Sequence, residues 1–251
     1  MIEILDPEKL KRYIASNDML SRIKEHSLLP GKRIGWNYCF DYTWLSVQFD
    51  QHIESLQKNL RSLKIVDIGA GPGAVHGFLE NKYNIKIAGI DMHKWENDYV
   101  DYVGDFSNNK FREEYNLNDI DIIISSSAFE HNKPLSHATL VKKCLQSLAP
   151  EGRMIVTFAV TDKAKIIKYM PSSQWNLSFK IINEIYGEEV INKNEYEIIW
   201  ERWHSNNIIR REFTERYGYY DHDTPPFLSI GANIGKDNID KQIIRKIYFG
   251  A

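Results

Sequence analysis

The spacing of apolar and polar positions changes near residue 60. Before it, apolar residues recur at helical intervals. Leu10, Tyr13 and Ile14 follow Asp6-Pro7, where Asp can cap the first amides and Pro fits the first helical position. Pro30-Gly31 interrupts this region, and the stretch WNYCFDYTW (36–44) carries five aromatics before a further amphipathic segment running to Leu63. Residues 1–60 therefore read as a helical preface. Beyond them, short apolar runs alternate with amphipathic stretches, which predicts strands over 64–68, 85–90, 102–104, 120–125 and 153–158 and helices over 74–82 and 135–148. Strands separated by helices require crossover connections, hence a mostly parallel sheet covered on both faces. From 159 to 224 the pattern is irregular, polar and aromatic (Trp175, Trp200, Trp203) and reads as a lid. Residues 227–234 and 243–249 read as two strands around Lys236-Asp237-Asn238, an antiparallel pair within 225–251 that closes the sheet.

Length and charge narrow the partners. A chain of 251 residues buries one good core, so a single α/β domain is expected, with 61–158 as its ligand-binding centre. Its 32 Lys and Arg against 34 Asp and Glu give a net charge of -2, so no global field favours nucleic acid or an anionic membrane surface. A small-molecule partner fits best, and a homodimer is compatible with everything above. The start MIEILDPEKL lacks the basic-then-apolar order of a secretory signal, and no run nears the ~18 apolar residues of a membrane span, which points to the cytoplasm. Cys39 and Cys144 lack metal-ligand spacing and read as ordinary thiols; no metal is expected.

The stretch VDIGAGPGA (66–74) is where chemistry enters. Gly69-x-Gly71-x-x-Ala74 satisfies the dinucleotide fingerprint, in which bare amides at a helix start hold a pyrophosphate. Asp67, beside that loop, would repel such an anion and instead suits a cationic ligand. Asp91 closes the second strand at roughly the ~20-residue offset at which an acid reaches ribose hydroxyls, and serves either ligand. Asp105 and Phe106 end the third strand, where an acid can accept from an adenine amino group and an apolar neighbour can cover the ring. S-adenosylmethionine, with a sulfonium, an ammonium and no phosphate, fits three acids better than a dinucleotide does. A nicotinamide-dependent oxidoreductase stays as the alternative of a different class.

With VDIGAGPG, GIDM (89–92), GDF (104–106) and DIIISSSAFEH (121–131) in this order, the chain resembles the class I S-adenosylmethionine-dependent methyltransferases, small-molecule type 11 group, over about residues 60–160. The resemblance implies a Rossmann-like, doubly wound, mostly parallel seven-stranded sheet. It also implies that Gly69, Gly71 and Gly73 approach the methionine part, Asp91 binds the ribose, Met92 lies against the adenine, and Asp105 and Phe106 hold its edge. Ser126, ending the fourth strand, joins this set.

Glu130 and His131 leave the fourth strand at its carboxyl end, beside the expected methyl group, and a base there would take a proton from a hydroxyl acceptor. Either can also be a plain helix-start residue. Related quinone O-methyltransferases hold a metal with E-x-x-E-H, whose first acid is Ser127 here; cyclopropane synthases share the A-F-E-H tail but not this glycine loop. His204 and His222, the latter between Asp221 and Asp223, are further candidate bases. The D-T-P-P-F stretch (223–227) echoes the motif of amino-group methyltransferases but lies far from the fourth strand, which argues against a nucleobase substrate. GWNYCFDYTW and SIGANIG look like bacterial methyltransferases of capsule or lipopolysaccharide sugars. The expected activity is O-methylation of a sugar or sugar nucleotide, with another small metabolite as the alternative acceptor.

Overall fold

The computed structural model describes residues 1–6, 8, 19–27, 36–56, 58–71, 73–162, 165–168, 173–186, 190–205 and 228–236. Its elements are β1 (Ile2–Ile4), α1 (Met19–Glu25), α2 (Trp36–Ser55), β2 (Ile65–Ile68), α3 (Ala74–Tyr83), β3 (Ala88–Asp91), β4 (Tyr102–Val103), α4 (Asn109–Glu114), β5 (Ile120–Ser126), α5 (Pro134–Ser147), β6 (Leu148–Thr161), β7 (Lys165–Lys168), β8 (Ser173–Ser178), α6 (Phe179–Tyr186), α7 (Lys193–Ser205) and β9 (Leu228–Gly235).

Seven strands pair in the order β1-β9-β6-β5-β2-β3-β4. The run from β6 through β4 is parallel, while β9 is antiparallel to β6 and to β1. The chain winds outward from β2 to β4 on one side and from β5 to β6 on the other. The order therefore reverses between β2 and β5, and ligands on such sheets bind outside the carboxyl ends at that switch point. This is the Rossmann-like, doubly wound, mostly parallel sheet that the resemblance implies, and its parallel run is the one expected from the alternation of strands and helices.

Burial explains why the central strands read as continuous apolar runs. Ile122, Ile123 and Ile124 of β5 and Val66 of β2 are wholly inaccessible, each residue stabilising the fold by about 1.5–3 kcal/mol. From the preface, α2 lays Phe40, Leu45 and Phe49 into the core and packs across β9, β6 and β5. Trp44 seats over Gly231 of β9, where a Cβ would come within 2.4 Å of the indole, and its Nε1 donates to Glu3 of β1 at 2.7 Å. Two of the preface aromatics, Phe40 and Trp44, are therefore core, while Tyr38 and Tyr42 stack on each other, partly buried.

Three features differ from the sequence expectation. The neighbour of β9 is β1, which pairs Ile2 with Ala232 and Ile4 with Ile230; residues 243–249 lie outside the described residues. The fifth strand begins at Leu148 and passes through Pro150-Glu151-Gly152, absorbing this turn-like sequence as an irregularity opposite Ile120–Ile122. Residues 159–224, expected to be irregular, contain the hairpin β7–β8, with Leu177 of β8 beside Val160 of β6, followed by α6 and α7. In α6 only Ile182, Ile185 and Tyr186 form a buried stripe, too short to stand out in the sequence. Among the described residues, no helix is long and apolar enough to cross a membrane.

Candidate active site at the switch point

The glycine loop leaves β2 at the switch point and is tied to β3 by the Gly69 and Ala70 amides, which donate to Ile90 O at 2.8 and 3.1 Å. Gly69, Gly71 and Gly73 all have positive φ (74°, 45° and 66°), a region that penalises any side chain. Their surroundings differ. A Cβ on Gly69 would lie 2.3 Å from Ala128 Cβ, and one on Gly73 would lie 2.1 Å from the Tyr99 ring. At Gly71 the nearest atoms are 3.7 Å or more away, among them Asp91 Oδ2 and the Trp95 ring. A side chain at Gly69 or Gly73 would thus clash with the protein, whereas a methyl group at Gly71, itself buried, would meet only ordinary van der Waals contacts, from Gly69 O, an acid and an indole.

Asp91, at the end of β3, organises those contacts. Its Oδ2 accepts from the Gly71 amide at 3.1 Å and its Oδ1 from the His93 amide at 2.9 Å. Asn97 Nδ2 donates to Gly71 O at 2.8 Å, so the 92–97 loop and the glycine loop clasp each other. Met92 and Trp95 on that loop are 63% and 41% exposed, large apolar surfaces beside a carboxylate. Trp95 was not weighed in the sequence; its signal is an indole four residues after the strand-end acid.

Asp105 is exposed after β4, with its carboxylate accepting from both the amide and the hydroxyl of Ser107 at 2.8 Å. Phe106 is 2% exposed and lies under the Arg112 guanidinium, 5.7 Å from the ring, so its side chain belongs to the core.

Asp67 is buried, and its Oδ2 is engaged by His76 Nδ1 at 3.1 Å, while His76 Nε2 lies 3.6 Å from Glu80. Its side chain, expected to face the cofactor's cations, thus has a cationic partner in α3. Burial disfavours the imidazolium, but the hydrogen bonds and charges of Asp67 and Glu80 outweigh it and raise the His76 pKa to about 9. A histidine raised from its ordinary value of 6.5 contributes stability that is complete below 6.5 and lost as pH climbs through about 9. The Tm gap between wild type and His76→Gln is expected to narrow over that window; a gap constant across it would contradict this ion pair.

The tail of β5 lies against the glycine loop. Ser125 Oγ donates to Ile68 O at 2.6 Å, and Ser126 Oγ accepts from Thr157 Oγ1 at 3.4 Å. Ser127 has φ 51°, a left-handed backbone that is costly for a residue with a side chain, and Ala128 then meets Gly69. A short turn, Phe129–His131, leaves Glu130 buried and His131 exposed. Asp41 of α2, entirely buried, reaches this tail and accepts from Ser127 Oγ at 2.9 Å. Burial is the main cause that pushes the carboxyls of Asp41 and Glu130 up, to about 7 and about 8 respectively, with the Asp41 charge adding to the rise of Glu130. Asp41 is absent from the sequence expectation because its partner Ser127 is 86 residues away; an acid inside an apolar helix is the signal that points to it.

His204 falls in α7, with the place of its side chain outside what is described, and His222 lies outside the described residues. Cys39 and Cys144 are buried, and burial pushes both thiols well above their ordinary range, which makes them unreactive. Among the described residues, no group of three or more His, Cys, Asp or Glu is placed to hold a metal ion.

No family model and no curated protein matches the chain. Solved structures similar to it include a Galdieria sulphuraria protein assigned as a sarcosine dimethylglycine methyltransferase, at 22% identity over 49% of this chain and 47% of that one, TM-score 0.39. Phosphoethanolamine N-methyltransferase 2 of Haemonchus contortus, in complex with S-adenosyl-L-methionine, is 15% identical over 74% of this chain and 52% of its own, TM-score 0.40. Coclaurine N-methyltransferase bound to N-methylheliamine and SAH is 13% identical over 77% and 70%, TM-score 0.45. The chain thus spans about half the length of the first two. Its own strand order fixes the architecture: a doubly wound α/β protein whose glycine loop, leaving β2 at the switch point, is tied to the strand-end acid Asp91.

Proposed function

We propose that the protein is an S-adenosylmethionine-dependent methyltransferase for a small molecule, with a sugar or sugar-nucleotide hydroxyl as acceptor. One observation carries the cofactor reading: the Gly71 amide, which a pyrophosphate would need, already donates to the Asp91 carboxylate. That carboxylate suits ribose hydroxyls, and the exposed Met92 and Trp95 on the loop that follows it offer apolar cover. The buried acids Asp41 and Glu130 behind Ala128 make the methionine end of such a site hospitable to a cation and hostile to phosphate. When bound, this cofactor supplies an electrophilic methyl group.

The chain's own part is to orient the acceptor, exclude water and take its proton. His131 is the exposed base nearest the β5 tail, and His131→Ala is expected to slow turnover by about 10²–10⁴-fold while S-adenosylhomocysteine affinity is kept. Unchanged turnover would move the base elsewhere. The sugar acceptor is supported by the likeness of GWNYCFDYTW and SIGANIG to sugar methyltransferases. It is tested by following S-adenosylhomocysteine formation across nucleotide hexoses, deoxysugars and heptoses; no product above the acceptor-free background discards the sugar.

A further inference from the structure

Two carboxyls buried within reach of each other's charge without a cation are an expensive arrangement. Asp41 is inaccessible and Glu130 is 4% exposed, and each keeps one oxygen without a hydrogen-bond partner, Asp41 Oδ1 and Glu130 Oε2. The Ser127 hydroxyl donates to Asp41 at 2.9 Å. It is held there by a left-handed backbone whose amide donates to Thr157 O at 2.9 Å. The groups packed around them do not neutralise the pair. From β9 comes the Ser229 hydroxyl, and from α2 the un-ionised thiol of Cys39. From α5 comes His137, bonded to Phe129 O and the Tyr186 hydroxyl and held neutral by burial, with a pKa of about 4. On the β8 side, Lys133 lies over the Trp175 ring, 5.6 Å from its centroid. Among the described residues, no cation figures among the groups that act on either acid. A negative charge on one of two buried acids disfavours ionisation of the other.

This pair flanks Ala128, the residue that closes against Gly69 at the methionine end of the proposed cofactor site. We propose that Asp41, held by Ser127, and Glu130, in the turn that follows, are a proton-sharing carboxyl pair that releases its proton when a sulfonium cation binds beside it, so that the charged cofactor is held more tightly than its neutral product. The pair ionises because a nearby positive charge favours the carboxylate form, and the proton leaves to solvent. With neutral S-adenosylhomocysteine the pair keeps its proton. Asp41 acts through Glu130 and is a positioning residue.

The proposal rests on the cofactor reading above, and the experiment separates the two. Titration calorimetry of the full-length protein near pH 7, in two buffers of different ionisation enthalpy, gives the protons released on binding S-adenosylmethionine and S-adenosylhomocysteine. More protons are expected to leave with S-adenosylmethionine, and the excess is expected to vanish in Asp41→Asn and in Glu130→Gln. Equal release by the two ligands in the wild type, or an excess that survives in both folded variants, overturns it. If neither ligand binds, the cofactor reading falls and the charge response with it. Carboxyl-carbon NMR titration then still judges the pair: the Glu130 midpoint is expected to fall by about one unit in Asp41→Asn. An identical midpoint in wild type and variant refutes the sharing.

Discussion

Asp91→Ala is expected to lose S-adenosylhomocysteine binding by about 100-fold or more in calorimetry. A hydrogen bond to a charged group contributes about 1.5–3 kcal/mol, and a carboxylate facing a ribose diol makes up to two. The same oxygens hold the Gly71 and His93 amides, so the variant also frees the two loops that Asn97 clasps together. Asp91→Asn retains an acceptor oxygen for one of these amides and is expected to fall between wild type and Asp91→Ala. Near-wild-type affinity in Asp91→Ala would place the ribose elsewhere and remove the organising role assigned to the end of β3.

The glycine loop separates stability from binding. Gly69→Ala combines a disfavoured φ of 74°, costing about 1–2 kcal/mol, with a Cβ 2.3 Å from Ala128 Cβ, an overlap costing about 1–3 kcal/mol. Its Tm is expected to drop by several degrees, with the drop shared by any probe of the core. Gly71→Ala carries the backbone strain alone, because the nearest atoms stand 3.7–3.9 Å from the new Cβ. Its methyl group stands against the Asp91 carboxylate and the Trp95 ring, so the larger loss is expected in affinity. If Gly71→Ala unfolds the protein as readily as Gly69→Ala while still binding ligand, the ligand does not approach the loop at Gly71.

The sequence revealed whatever rests on short-range pattern. The parallel strands stood out because β2 and β5 are buried throughout their apolar runs, as at Ile122–Ile124. Gly69, Gly71 and Gly73 stood out because only glycine adopts their backbone cheaply, and Asp91 because strand-end acids fall at a regular interval. Long-range partners were hidden. Three residues, Ile2–Ile4, become a strand only through β9, more than two hundred residues away, so no local pattern announces them. Asp67 pairs with His76 across a strand–helix turn, which redirects an acid that its position alone assigns to the ligand. Phe106 faces the core because Arg112 folds over it and donates to its carbonyl, a contact invisible in the motif GDF. Asp41 reaches Ser127 only because α2 crosses the carboxyl end of β5, so the candidate site contains an acid supplied by the preface.

The loop between β2 and α3 is proposed to receive a sulfonium cofactor and not a dinucleotide. Thermal unfolding of the protein with S-adenosylhomocysteine and, separately, with NAD tests it most directly, because a ligand that binds only the folded state adds about 2.7 kcal/mol at a hundred times its Kd. A rise of several degrees with S-adenosylhomocysteine and none with NAD at the same concentration is the predicted result. A rise with NAD and none with S-adenosylhomocysteine would contradict the account at its base.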